Sequence, residues 1–198
     1  MANPADDDFF MPPDWAPHSR CWMAWPCRAE AWGDHMDAVR ETYAEVANII
    51  ARFEPVTMIT KPKNMAEASL QLGANVSNFS LPHDDSWLRD NGPTFVTNRA
   101  GLVAGVDWLW NAWGERYADH DRDAAVAQAM LEHLAMRRYE APLVLEGGSI
   151  HSDGEGTLLT SESCLLNPNR NPGKSRAEIE EMLTARLGVR QIIWLGKG

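Results

Sequence analysis

Three carboxylates, a histidine, an arginine and a tryptophan crowd into one polar stretch, from Leu81 to Pro93. Such a set can do three things. As a solvated loop it would hold Arg89 in an exposed ion pair of little energetic weight. As a metal site it would use His83, Asp84, Asp85 and Asp90 as ligands. As a guanidinium site it would set carboxylates in the plane of the cation and an aromatic ring on its face. The residue types alone leave all three open.

The elements around this stretch must position it. Apolar residues at helical spacing predict a helix over His35 to Phe53, ended by Pro55, with a strand from Val56 to Thr60. A short helix from Met65 to Leu72, stopped by Gly73, precedes a strand from Val76 to Leu81. Beyond the polar loop, Thr94 to Thr97 and Leu102 to Val106 read as strands joined at Ala100-Gly101. A Trp-rich loop then runs to Tyr117. Asp119 opens a helix to about Ala135, and Pro142 to Leu145 forms a strand. The pattern then recurs. Ser149 to His151 and Thr157 to Thr160 are strands around the turn signal Asp153-Gly154. Ser175 and Glu178 form a capping box for a helix ending near Leu187-Gly188, and Gln191 to Leu195 is a strand. Each unit is strand, strand, helix, strand. Asp90-Asn91-Gly92 opens one and Glu146-Gly147-Gly148 opens the next, so two carboxylates hold the same place in successive modules. Arranged around an axis, both would point into one central site.

Composition narrows the class. Of 198 residues, 44% are hydrophobic and 23% charged, which suits a globular α/β protein. The net charge of −10 opposes a nucleic-acid partner and suits a cationic small substrate. No apolar run is long enough to cross a membrane, and the acidic start lacks the features of a signal peptide, so the expected location is cytoplasmic. The three cysteines, Cys21, Cys27 and Cys164, are odd in number and widely spaced, which argues against a disulfide framework. The nine tryptophans read equally as core residues or, beside Gly, Pro, Asp and Asn, as pocket walls.

Longer strings carry a resemblance. Asp84 to Phe95 (DDSWLRDNGPTF), Val106 to Gly114 (VDWLWNAWG), Leu145 to Pro172 and Trp194 to Gly198 (WLGKG) are similar to the agmatine deiminase family, as is the opening from Met11 to Pro26. The resemblance runs in order over essentially the whole chain, and the bacterial-type peptidylarginine deiminases share parts of it. It implies the pentein fold, an α/β-propeller of strand-strand-helix-strand modules around a pseudo-fivefold axis. It implies hydrolysis of agmatine to carbamoylputrescine and ammonia, feeding putrescine and polyamine synthesis, without metal or organic cofactor. By motif, Asp90 and Glu146 would hold the guanidinium, Trp87 would wall the pocket, and Asp84 and Asp85 would meet the substrate's amine end. A homodimer is also consistent with the family.

The sequence departs from that pattern in one respect. The family's His-x-Asp motif after WLGKG and its Gly-Gly-Gly-Asn-Ile-His-Cys motif do not occur in residues 1–198. Residues 1–198 therefore read as the N-terminal portion, roughly half, of a single pentein catalytic domain, expected to be inactive alone. Gly147-Gly-Ser-Ile-His151 echoes the cysteine motif with Ser152 in the thiol's place, a module echo without an evident activating base. The alternatives are a shortened, non-catalytic pentein that binds a cationic ligand or protein, a peptidylarginine deiminase, and the metal-dependent hydrolase built on His83, Asp84, Asp85 and Asp90.

Overall fold

The computed structural model describes residues 2–197. The chain forms two compact units. One comprises Pro17–Leu88 with Asp121–Asp123; the other comprises the segment up to Ala16, Arg89–His120 and the chain from Ala124 onward.

In the first unit, β1 (Cys21–Ala24), β2 (Val56–Thr60) and β3 (Val76–Ser80) form an all-parallel sheet in the order β1-β2-β3. Three helices connect them: α1 (Ala29–Trp32), α2 (Met36–Ile50) and α3 (Met65–Gln71). Every residue of β2 is buried, as expected of a central strand covered on both faces. Ala44 and Ala47 of α2 pack with Trp25, Val56, Met58, Ala68 and Val76. Asn48 ties the end of α3 back to α2, donating to the Gln71 carbonyl and accepting from the Gly73 amide at 2.7 Å. Strand β1 was not anticipated. Its four residues pair only with a strand more than thirty positions away, and no local periodicity reports such a pairing.

The second unit contains the anticipated repeat. Helical turn α4 (Leu88–Asn91) leads into β4 (Thr94–Thr97) and β5 (Val103–Leu109). Turn α5 (Ala112–Glu115), turn α6 (Asp121–Ala124, whose first three residues belong to the first unit) and helix α7 (Val126–His133) lead to β6 (Arg137–Val144). The next module follows with β7 (Ile150–Ser152), β8 (Thr157–Ser161), turn α8 (Glu162–Leu165), helix α9 (Arg176–Leu187) and β9 (Gln191–Leu195). In both modules the first two strands are antiparallel and the last joins in parallel. The hairpin turns also match. Asn98 Oδ1 accepts the amides of Ala100 and Leu102, and Asp153 Oδ1 accepts those of Glu155 and Thr157. Gly101 and Gly156 supply the left-handed residue in each turn, at φ 77° and 103°.

Several bounds shift. Strand β5 continues to Leu109, into the segment read as loop. Strand β6 starts at Arg137 rather than Pro142: buried Tyr139, Ala141 and Leu143 alternate with Arg138, Glu140 and Pro142, and Pro142 is tolerated because β6 is an edge strand. The helix begins at Asp121, not Asp119, and breaks at Ala125. The capping box at Ser175 and Glu178 is present, and α9 ends at Gly188 in the left-handed region.

Side chains from both modules share one core, including Val106, Trp108, Leu143, Ile150, Leu158 and Leu183, with Phe9 and Met11 of the N-terminal segment. That segment is laced in by the Met11 amide, which donates to the Leu187 carbonyl, and by the Met11 carbonyl, which accepts from Ser152. Among the described residues no helix is long and apolar enough to cross a membrane.

Candidate functional site

The modular unit brings Asp90 and Glu146 into one electrostatic neighbourhood. Asp90, on α4, accepts the Trp113 indole N–H on Oδ2 at 3.1 Å and the Gly148 amide on Oδ1 at 3.0 Å. Glu146, 3% exposed, accepts Arg170 Nε on Oε1 at 2.6 Å and the Cys164 thiol on Oε2 at 3.0 Å. Each of the four carboxylate oxygens thus has one resident donor. A carboxylate oxygen offers two lone pairs, so each oxygen keeps one for a further N–H. Burial pushes the Asp90 carboxyl above its usual range; the Trp113 and Gly148 donors pull against this, and the negative charge of Glu146 adds to it. Two mutually repelling carboxylates held at fixed orientation are a ready receptor for a planar cation.

The backbone around them is shaped for close approach. A Cβ on Gly147 would lie 2.1 Å from the Arg89 carbonyl oxygen, and one on Gly148 would lie 2.5 Å from Asp90 Oδ1. The Gly-Gly pair after Glu146 is therefore what lets the Asp90 turn reach it. Arg89 fastens the junction, donating to the carbonyls of Gly147 and Ile150 and to both carboxylate oxygens of Asp14.

Trp113 arrives on an unusual turn. Ala112, Trp113, Gly114 and Glu115 all have positive φ, from 50° to 86°. Each non-glycine residue held there costs about 1–2 kcal/mol. Asn111 offsets part of this: its carbonyl accepts the Glu115 amide, its side-chain oxygen accepts the Gly114 amide, and its side-chain amide donates to the Asn169 carbonyl. A Cβ on Gly114 would lie 2.3 Å from Arg170 Nη1. The turn that delivers the donor of Asp90 thus also passes against the cation on Glu146. Strain of this kind concentrates at functional sites.

Sequence reasoning did not single out Trp113, Arg170 or Cys164, although the strings VDWLWNAWG and NPNRNP contain the first two. It also passed over Asn91, a buried residue whose side-chain nitrogen and oxygen both lack a protein hydrogen-bond partner. Cys164 is a donor to Glu146 rather than a nucleophile, since burial and the neighbouring carboxylate push its thiol up to about 12. Ser152 is engaged in the N-terminal lacing and in the Asp153 turn, where it accepts the Gly154 amide.

The remaining predicted residues belong to the parallel unit. Asp85, 1% exposed, accepts Arg28 Nε at 3.1 Å and the Ser86 amide at 2.8 Å. Arg28 also lies 3.9 Å from Asp123, whose other oxygen accepts the amides of Asp84 and Asp85. Asp84 accepts the Arg122 amide at 3.2 Å and keeps part of its side chain open. Trp87 is 42% exposed and stacks on Trp32 with centroids 6.1 Å apart. His83 is buried, and its two ring nitrogens face the carbonyl oxygens of Leu81 and Trp25 at 3.0 Å each. Carbonyl oxygens only accept, so the imidazolium form donates at both positions and leaves no lone pair for an ion. His83, Asp84, Asp85 and Asp90 do not form a metal-ligating cluster among the described residues.

Repeated modules of two antiparallel strands, a helix and a parallel third strand place the chain in the pentein class. The chain belongs to the Porphyromonas-type peptidyl-arginine deiminase family, whose model matches residues 10–198. It is similar to the agmatine deiminase of Stutzerimonas stutzeri, 47% identical over 203 residues, covering all of this chain and 55% of that protein. The solved agmatine deiminase of Enterococcus faecalis superposes with a TM-score of 0.97 at 38% identity, over 100% of this chain and 56% of that one. That of Campylobacter jejuni gives 0.82 at 28% identity, over 96% and 56%. The chain thus spans about half the length of the curated relatives it matches, and corresponds to a portion of the pentein fold.

Proposed function

We propose that this chain is the guanidinium-holding half of an agmatine deiminase, the N-terminal portion of a single catalytic domain. The observation that carries this reading is the pair Asp90 and Glu146, set at equivalent openings of two modules, with one resident donor on every oxygen. A guanidinium stays protonated at neutral pH, and its resonance makes the central carbon a poor electrophile. Two carboxylates in its plane fix the carbon for attack from one face. They also keep positive charge on that carbon as the tetrahedral adduct forms.

In the reaction, a cysteine thiolate adds to the carbon and ammonia leaves after protonation by a histidine. A covalent amidino-thioester remains, and water attacks it to release carbamoylputrescine and regenerate the thiolate. Thiol and histidine belong to motifs outside residues 1–198, so the chain by itself binds agmatine without turning it over. No metal or organic cofactor enters these steps. On motif grounds Trp87 supplies an aromatic wall and Asp84 a carboxylate toward the primary amine, while Asp85, bound by Arg28, orients the segment that carries them. The product would feed putrescine synthesis in the cytoplasm, with the full-length protein acting as a homodimer.

Titrating agmatine into the purified chain by calorimetry tests the central step. The expected result is weak saturable binding that Glu146→Gln reduces at least about tenfold, the range of one charge-assisted hydrogen bond. Binding of equal strength in wild type and Glu146→Gln would sink the assignment. A blocked peptidylarginine is the competitor to run beside it, since the matching family model is described by that substrate. Tighter binding of the peptide would move the reading to protein arginine.

A further inference from the structure

Away from the carboxylate pair, three electron-pair donors of different types converge in the parallel unit. His18, Cys21 and Glu54 each offer a ligand atom, and these atoms lie within 4.8 Å of one another. His18 Nδ1 stands 2.6 Å from Glu54 Oε2, and the Cys21 thiol donates to Glu54 Oε1 at 3.3 Å. We propose that these three residues form a binding site for a divalent cation of the zinc class.

The arrangement rests on the sheet. Cys21 is the first residue of β1; it pairs in register with Val56 of β2, and its amide donates to the Pro55 carbonyl at 3.0 Å. That pairing fixes Glu54, the residue before Pro55, beside the cysteine. His18, three positions before Cys21, folds its ring back onto the same carboxylate. Two ligands are thus held by backbone register, and the third by a short local loop.

The donor set selects the ion. Imidazole, thiolate and carboxylate together suit zinc and its neighbours, whereas calcium and magnesium take oxygen alone. Metal–ligand bonds of about 2.0–2.3 Å put tetrahedral donors roughly 3.5 Å apart; the thiol and carboxylate already stand at 3.3 Å, and the imidazole need only draw back from its 2.6 Å contact. Binding displaces the thiol proton, and the resulting thiolate and carboxylate balance the ion's charge. Arg20, the nearby cation in the same loop, directs its guanidinium to Thr57 Oγ1 at 3.3 Å. With His18 half exposed, water completes the fourth position. Occupancy would staple the segment entering β1 to the turn entering β2.

Cobalt(II) is the probe, because thiolate ligation gives it a charge-transfer absorption. The expected result is one ion per chain with that band present, and a rise in melting temperature on adding zinc. Cys21→Ser should abolish the band, while Cys27→Ser and Cys164→Ser keep it. His18→Ala, at a half-exposed position, and the isosteric Glu54→Gln should each weaken affinity by more than about 100-fold, the upper range for losing even an outer-shell partner. No stoichiometric cobalt or zinc binding at millimolar ion would overturn the proposal, as would a charge-transfer band that survives Cys21→Ser.

Discussion

Asp85 and Asp90 lie five positions apart in one motif, yet the protein treats them oppositely. Asp85 is met by a buried cation, Arg28, with Asp123 and His83 completing a closed set of charges. Asp90 is met by two neutral donors, an indole and a backbone amide. A cationic partner orients a carboxylate and also satisfies its charge. Neutral donors orient it and leave the charge unspent. The Asp85 cluster is therefore complete in itself, while Asp90 is hydrogen-bonded by neutral groups and feels the Arg89 charge without a hydrogen bond from it. Glu146 stands between the two, with one arginine and one thiol.

The largest effect should come from breaking the closed cluster. Arg28→Ala leaves the two buried carboxylates Asp85 and Asp123 with His83 alone to offset their charge, and removing one partner of such a set costs about 3–5 kcal/mol. A urea denaturation midpoint that scarcely moves would show that the cluster is not a unit. Asp90→Asn should do the reverse. It removes a charge that burial and Glu146 already disfavour, so the denaturation midpoint holds or rises slightly. Agmatine binding falls by roughly 10–100-fold, the worth of a charge-assisted hydrogen bond. If Asp90→Asn instead destabilises the fold as Arg28→Ala does, the contrast between the two sites is wrong.

A titration of stability against pH sharpens the same contrast. Burial pulls the His83 pKa down, but the Cys27 side chain and the two facing carbonyls outweigh it and leave it at about 8, above the ordinary 6.5. A raised pKa in the folded state stabilises fully below the unfolded value and fades as pH climbs through the folded one. On the order of 2 kcal/mol should therefore be lost between about pH 6.5 and 8 or just beyond, and His83→Gln should flatten that slope. A slope unchanged in His83→Gln would place the titration elsewhere.

These contrasts explain what the sequence could and could not disclose. The repeat was legible because hairpin turns are local: Asn98, Gly101, Asp153 and Gly156 announce themselves by type, and β9 was placed to the residue. The two carboxylates were legible because each opens a module. Their donors were not. Trp113 reaches Asp90 only through a run of left-handed residues that no propensity favours, and Arg170 lies in an Asn-Pro loop that reads as spacer. The difference between Asp85 and Asp90 was likewise hidden. It depends on Arg28, which lies far away in sequence and is placed by β1, a strand with no periodic signature.

The smallest effect tests whether neutral donors set the site's working range. Trp113→Phe keeps the ring and removes the indole N–H, at a cost of about 1 kcal/mol in binding. Of the groups that hold the Asp90 pKa down, that indole acts most strongly, so its loss should raise the pKa further. A guanidinium needs Asp90 ionised, and agmatine affinity therefore declines as pH falls through the Asp90 pKa, which already lies above the ordinary 3.8. In Trp113→Phe that acid limb should move to higher pH, with affinity on the alkaline plateau nearly restored. A uniform loss at every pH would mean that Trp113 acts by packing alone, and that Asp90 owes its charge state to some other donor.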